Sequence, residues 1–105
     1  MADRAHQKRS NHRFVDELPE LLSEKGLSVR EIARRAKVDP GHLSRVLRQV
    51  AYKTPSGELT RKIAVALGRP PDYWPEYREA IVLEHVRADP AFRDRVYVSL
   101  KRRQR

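Results

Sequence analysis

Apolar residues recur along this chain at spacings of three and four, and nowhere in the alternation of a strand. The first run is Phe14, Leu18, Leu21 and Leu22. It predicts a helix whose spacing begins near Phe14 and which Gly26 stops, with Leu27 resuming apolar contact after the stop. Pro19 falls inside this run. It is harmless if the helix starts near Asp16, since first-turn N–H groups have no partners, and would kink a helix that began earlier. Ser28, with Glu31 three residues later, makes a capping box and opens a second helix over 28–36. Its inner face is Ile32, Ala33 and Ala36, and its outer face is Arg30, Arg34, Arg35 and Lys37. A third helix is predicted over 39–50, with Asp39 as cap, Pro40 at the first helical position, and Leu43, Val46, Leu47 and Val50 as its buried stripe.

The stretch KTPSGE, residues 53–58, reads as a loop from its turn residues. Leu59, Ile63, Ala64 and Leu67 follow as the inner face of a fourth helix, stopped by Gly68. A proline-stiffened turn, RPPDYWPEY, leads into two further helices over Pro75–Ala88 and Pro90–Arg102. Asp89 caps the last, whose apolar line is Phe92, Val96 and Leu100. In the fifth, Ala80 to Leu83 are apolar in succession, a band where a helix buried on one side needs only a stripe. Residues 1–12 are polar and aperiodic and predict a disordered basic arm. The expected organisation is all-α: an arm over 1–12, a four-helix domain over 13–74, and a two-helix extension over 75–102.

Composition narrows the function. The 105 residues make one domain with a modest core, since 39% are apolar and 35% charged. With no cysteine there is neither a disulfide framework nor a thiolate metal site. His6, His12, His42 and His85 have no metal-ligand spacing, so no metal or cofactor is expected. No nucleophile is paired with a base, and no glycine-rich phosphate loop occurs, so an enzyme is not expected. No apolar run is long enough for a membrane, and the first thirteen residues lack the apolar core of a signal peptide. These features predict a cytoplasmic protein without a membrane role.

Charge placement says more than the net +9. Residues 28–53 carry seven basic groups against Glu31 and Asp39, a local +5. Residues 70–100 carry six acids and four arginines, and the terminal KRRQR adds +4. The most basic internal segment is therefore the one holding the second and third helices. Two short helices separated by about three residues are a helix-turn-helix, whose second helix enters the DNA major groove. Ala33 supplies the small residue at the crossing, Leu43 and Val46 hold the second helix down, and Val38 plugs the turn. His42, Ser44, Arg45 and Arg48 occupy the free side.

The stretches SVREIARRAKVDPGHLSRVLR and SGELTRKIAVALGRPPDYW resemble the phage-repressor-like helix-turn-helix family, the lambda repressor/Cro or XRE type, over about residues 14–74. The resemblance implies a lambda-repressor-like helical domain and a transcriptional regulator that binds double-stranded DNA in a sequence-specific way. The family usually places glycine, in a left-handed conformation, where Lys37 stands; a lysine there costs about 1 kcal/mol. Pro40 and Gly41 stand where many members carry base-reading side chains, which shifts reading to His42, Ser44 and Arg45.

Arg45 is the strongest base-reading candidate because a guanidinium pairs bidentately with guanine. Ser44 and His42 are weaker ones. Ser28 and Arg30 open a helix whose N-terminus can receive a phosphate. Lys37, Arg48, Lys53, Thr54 and Ser56 are further backbone-contact candidates, while Arg34 and Arg35 can equally face solvent. Trp74, Tyr73 and Tyr77 lie in a mildly acidic region, so packing is favoured over base stacking. Tyr77, Ile81, Val82, Val86, Phe92, Val96, Tyr97 and Leu100 form a candidate homodimer interface, which would match a palindromic site. The alternative function is an antitoxin that binds a toxin protein and its own promoter. A non-specific nucleoid protein is a weaker third reading.

Overall fold

A computed structural model describes residues 9–48 and 54–104, and among them are six α-helices and no strand. These are α1 (Phe14–Lys25), α2 (Val29–Ala36), α3 (Pro40–Arg48), α4 (Gly57–Ala66), α5 (Pro75–Ala88) and α6 (Pro90–Arg103). Residues 1–8, Val50 and Lys53 lie outside the described residues.

Local chemistry sets most of the boundaries. Gly26 closes α1 at φ 67°, with Leu27 N–H donating to Leu22 O at 2.9 Å. The capping box forms at the start of α2: Glu31 N–H donates to Ser28 Oγ at 3.0 Å, and Ser28 N–H donates to Glu31 Oε1 at 2.9 Å. Lys37 takes the left-handed conformation at φ 59° and ψ 43°, letting Val38 N–H reach Ala33 O at 2.9 Å. Asp39 caps α3 by accepting from His42 N–H at 2.7 Å. Ser56 caps α4, so that helix begins at Gly57, earlier than the loop residues 53–58 suggested. Asp89 alone joins α5 to α6, accepting from Phe92 N–H at 3.1 Å.

One start is set by a tertiary contact. α1 takes the earlier of the two starts that the sequence allows, at Phe14, and its cap position, Arg13, makes no side-chain cap bond. Glu76, from the first turn of α5, serves instead. Its carboxylate oxygens accept from Phe14 N–H at 3.0 and 3.3 Å, and the residue is buried. Pro19 therefore sits within the helix, where it cannot donate to the Val15 carbonyl one turn back.

The core draws on α1, α2, α3, α4 and the aromatic turn: Phe14, Leu18, Leu21, Leu22, Ile32, Ala33, Leu43, Leu59, Ile63, Ala64, Leu67, Tyr73 and Trp74. Trp74 is completely buried, edge-on to Phe14 (4.8 Å) and to Tyr73 (5.1 Å), which settles its role as packing. Its Nε1–H donates to Glu17 Oε1 at 2.8 Å, so the buried indole is satisfied.

Contacts cross both of the expected domain boundaries. Residues 9–12, expected as part of the arm, are docked: Ser10 is buried and its N–H donates to Tyr73 O. Arg78 donates to the carbonyls of Ser10, Asp72 and Tyr73 at 2.7 to 2.9 Å, and Arg9 pairs with Asp72 at 2.8 Å. Polarity misled here because the contacts are made by backbone groups, whose partners no local pattern announces. The boundary after residue 74 also cuts through packed structure. A Cβ on Gly57 would lie 2.8 Å from Ala80 Cβ, so the first turns of α5 press directly on the start of α4.

Beyond those turns the molecule extends. α6 buries no residue, and the radius of gyration of 16.1 Å exceeds the roughly 13 Å of a compact chain this long.

Candidate nucleic-acid interface

The candidate site is built on α2 and α3. Ala33 is completely buried and Val38 half-buried, which lets the two helices pack closely across the left-handed turn at Lys37. Leu43 is completely buried, and Val46 and Leu47 are half-buried against the core. These three anchor one side of α3 and dictate which side is left. On that side His42, Arg45 and Arg48 are exposed and Ser44 is half-buried. The structure brings Ser44, Arg45 and His42 together on one short helix, open to solvent.

On α2, Ser28 and Arg30 are exposed at the first turn, and Arg34, Arg35 and Lys37 are exposed farther on. The Ser28 hydroxyl is engaged as a cap, although its donor proton is left for a further partner. Thr54 and Ser56 are exposed at the start of α4, Ser56 also serving as a cap. Lys53 lies outside the described residues.

Electrostatics separates this surface from the rest. Arg30, Arg34, Arg35, Lys37, Arg45 and Arg48 form no ion pair among the described residues, whereas Arg9, Arg13, Arg61 and Arg93 each pair with a carboxylate. The two acids of this segment, Glu31 and Asp39, are exposed and each accepts from a backbone N–H. Glu31 accepts from Ser28 N–H, and that bond holds its carboxyl below the usual carboxylate range, with smaller help from Arg35 and Arg34. Asp39 caps α3. Both acids sit at helix N-termini, where their charge is favoured, and neither neutralises the cations.

One relation was not foreseen. Arg45 Nη1 lies 3.3 Å from the position that a Cβ on Gly41 would occupy, and Asp39 Oδ2 lies 3.3 Å from the same point. The signal was present in the spacing, since residue 45 follows 41 by one helical turn and side chains lean toward the N-terminus.

A helix-turn-helix family model matches residues 20–74, just over half the chain, from the middle of α1 to the buried tryptophan. The chain belongs to the helix-turn-helix family. Within it this protein is of the XRE type, the class of the lambda repressor and Cro, a family of DNA-binding regulators. The all-helical fold is the lambda-repressor-like one. No curated protein and no solved structure matches the chain. No helix among the described residues is long and apolar enough to cross a membrane.

The family match ends at residue 74, and the α5–α6 hairpin follows. Of the candidate interface residues there, Ile81, Val82, Tyr97 and Leu100 are exposed, at 46 to 60%. Leu83 and Val98 are exposed beside them. Tyr77, Val86, Phe92 and Val96 are half-buried within the protomer: Tyr77 lies against Gly57, and Phe92 stacks edge-on with His85 at 4.6 Å.

Proposed function

We propose that this protein is a sequence-specific transcriptional regulator that places α3 in the DNA major groove. Arg45, Ser44 and His42 meet base edges; Ser28, Arg30, Lys37, Arg48, Lys53, Thr54 and Ser56 meet the phosphate backbone. The observation that carries this reading is the set of six exposed cations on α2 and α3 without ion-pair partners among the described residues. Cations left free of their own acids are available to displace counterions from a polyanion, the main sequence-independent source of affinity for DNA. The phosphate contacts fix register, and the few groups of α3 choose the sequence.

Two copies joined through α5 and α6 would double the contacts and demand a palindrome with half-sites about 34 Å apart. Ile81, Val82, Tyr97 and Leu100 support this, because a soluble helix pair leaves so many large apolar groups exposed only where something covers them. The same surface favours a second reading, an antitoxin whose hairpin holds a toxin protein while its helix-turn-helix binds its own promoter. A neighbouring gene for a small basic ribonuclease-like protein would decide for it.

Selection of bound duplexes from a random pool tests the function. A palindromic consensus is expected; binding with equal affinity for all sequences would overturn the reading. With the selected site in hand, Lys53→Ala should weaken every sequence alike and lower the salt slope by about one unit.

A further inference from the structure

Gly41 stands in the first turn of α3, the part of a recognition helix that meets base edges, yet it has no side chain with which to read. The space is nevertheless used. Arg45 leans back one turn, bringing Nη1 to 3.3 Å from the point where a Cβ of residue 41 would stand. Asp39 Oδ2 lies at the same distance on the same point, and it is fixed in place by the 2.7 Å bond from His42 N–H. A Cβ at 41 would crowd both groups. The carboxylate is tied down as the helix cap, so the flexible guanidinium is the one that gives way. Arg45 and Asp39 form no ion pair, which leaves the guanidinium donors available.

We infer that Gly41 is a specificity-determining residue: its bare α-carbon is the seat that lets the Arg45 guanidinium lie at the N-terminal end of α3 and read a guanine there. The inference rests on the DNA-reading role proposed above and assigns the reading geometry to a pair of positions, 41 and 45, acting as one unit. The expected base is guanine, because O6 and N7 match two guanidinium donors. Filling the seat tilts the guanidinium out of register without removing its charge. The effect should therefore fall on sequence choice, with general affinity for DNA kept.

The test uses the full chain and the random duplex pool, comparing wild type, Arg45→Ala, Gly41→Ala, Gly41→Gln, and Gly41→Gln with Arg45→Ala. Arg45→Ala should lower the preference for guanine at one base pair per half-site by about ten- to hundred-fold. Gly41→Ala, which crowds the guanidinium by only a methyl group, should lower it several-fold at that same base pair. Gly41→Gln should abolish it, and the double variant should have no more guanine preference there than Arg45→Ala. Alanine and glutamine are better helix formers than glycine, so thermal unfolding of the single Gly41 variants should match or exceed wild type, separating lost reading from lost folding. Unchanged guanine preference in Gly41→Gln, or a change at a different base pair from that of Arg45→Ala, overturns the inference while leaving the proposed function standing. A wild-type protein that selects no sequence overturns both.

Discussion

Ser28 and Glu31 show how one pair of residues fixes the start of a helix. Each satisfies the other's backbone N–H, so α2 starts sharply and its exposed first turn is fixed. The bond from Ser28 N–H favours the ionised form of Glu31 and holds its carboxyl below the ordinary value of 4.5. A carboxyl depressed on folding contributes stability above its unfolded value and loses it as pH falls through the folded one. Glu31→Gln keeps an acceptor for the N–H but removes the titration. Wild type should therefore be more stable than Glu31→Gln near pH 7, and the gap should close below about pH 4 as the depressed carboxyl takes up its proton. Denaturant unfolding of both proteins at pH 7 and pH 3 measures it, and a gap of equal size at both would refute the assignment. Lys37 stands at the other end of the same helix. It accepts about 1 kcal/mol of left-handed strain at the turn and places a cation beside the candidate phosphate contacts.

Among the elements, α1 departs most from its own sequence. Its apolar stripe was legible, and Phe14, Leu18, Leu21 and Leu22 are all buried as the spacing required. Its cap was not, because the group that satisfies Phe14 N–H comes from Glu76, 62 positions away. With that tertiary cap the helix begins early enough to leave Pro19 in its interior, exposed to solvent and without an N–H to give the Val15 carbonyl. Pro19→Ala restores that donor. The gain of up to about 3 kcal/mol in the helix is offset by about 1 kcal/mol of added freedom in the unfolded chain. The variant should be more stable by about 1–2 kcal/mol in thermal or denaturant unfolding, with DNA binding unaltered. A less stable variant would show that the helix depends on the proline. In α2 and α3 no such conflict arises. Caps, stripes and turn residues agree there, and both helices start within a residue of where the pattern put them, while residues 49 and 50, at the predicted end of α3, lie outside the described residues.

Across the whole molecule, the segment before α1 is tied to the start of α5. Arg9, Ser10, Asp72, Tyr73, Glu76 and Arg78 make the tie, directly over the buried Trp74. This clasp makes the first turns of α5 part of the XRE-type domain. The rest of α5 and all of α6 project from it with Ile81, Val82, Leu83, Tyr97, Val98 and Leu100 exposed. If a second copy covers them, light scattering should give about twice 12.3 kDa. Val82→Glu, at a position 58% exposed, should return the protein to a monomer that still unfolds cooperatively, at a temperature no longer dependent on protein concentration. It should also weaken binding to a full palindrome far more than to a half-site. A wild-type monomer at micromolar concentration would sink the dimer and turn attention to the antitoxin reading.

By itself the sequence determined the helices, their caps, the helix-turn-helix pairing and the basic face, because these rest on contacts three and four residues apart and on charges that simply face outward. Only the tertiary structure decided that Glu76 caps α1, that residues 9–12 are docked, that Gly57 meets Ala80, and which apolar residues of α5 and α6 stay uncovered. Those outcomes join groups far apart in the chain, and such a pairing has no period to read. It is selected when a particular packing brings a buried donor to an acceptor, or one helix against another, and leaves no closer partner for either.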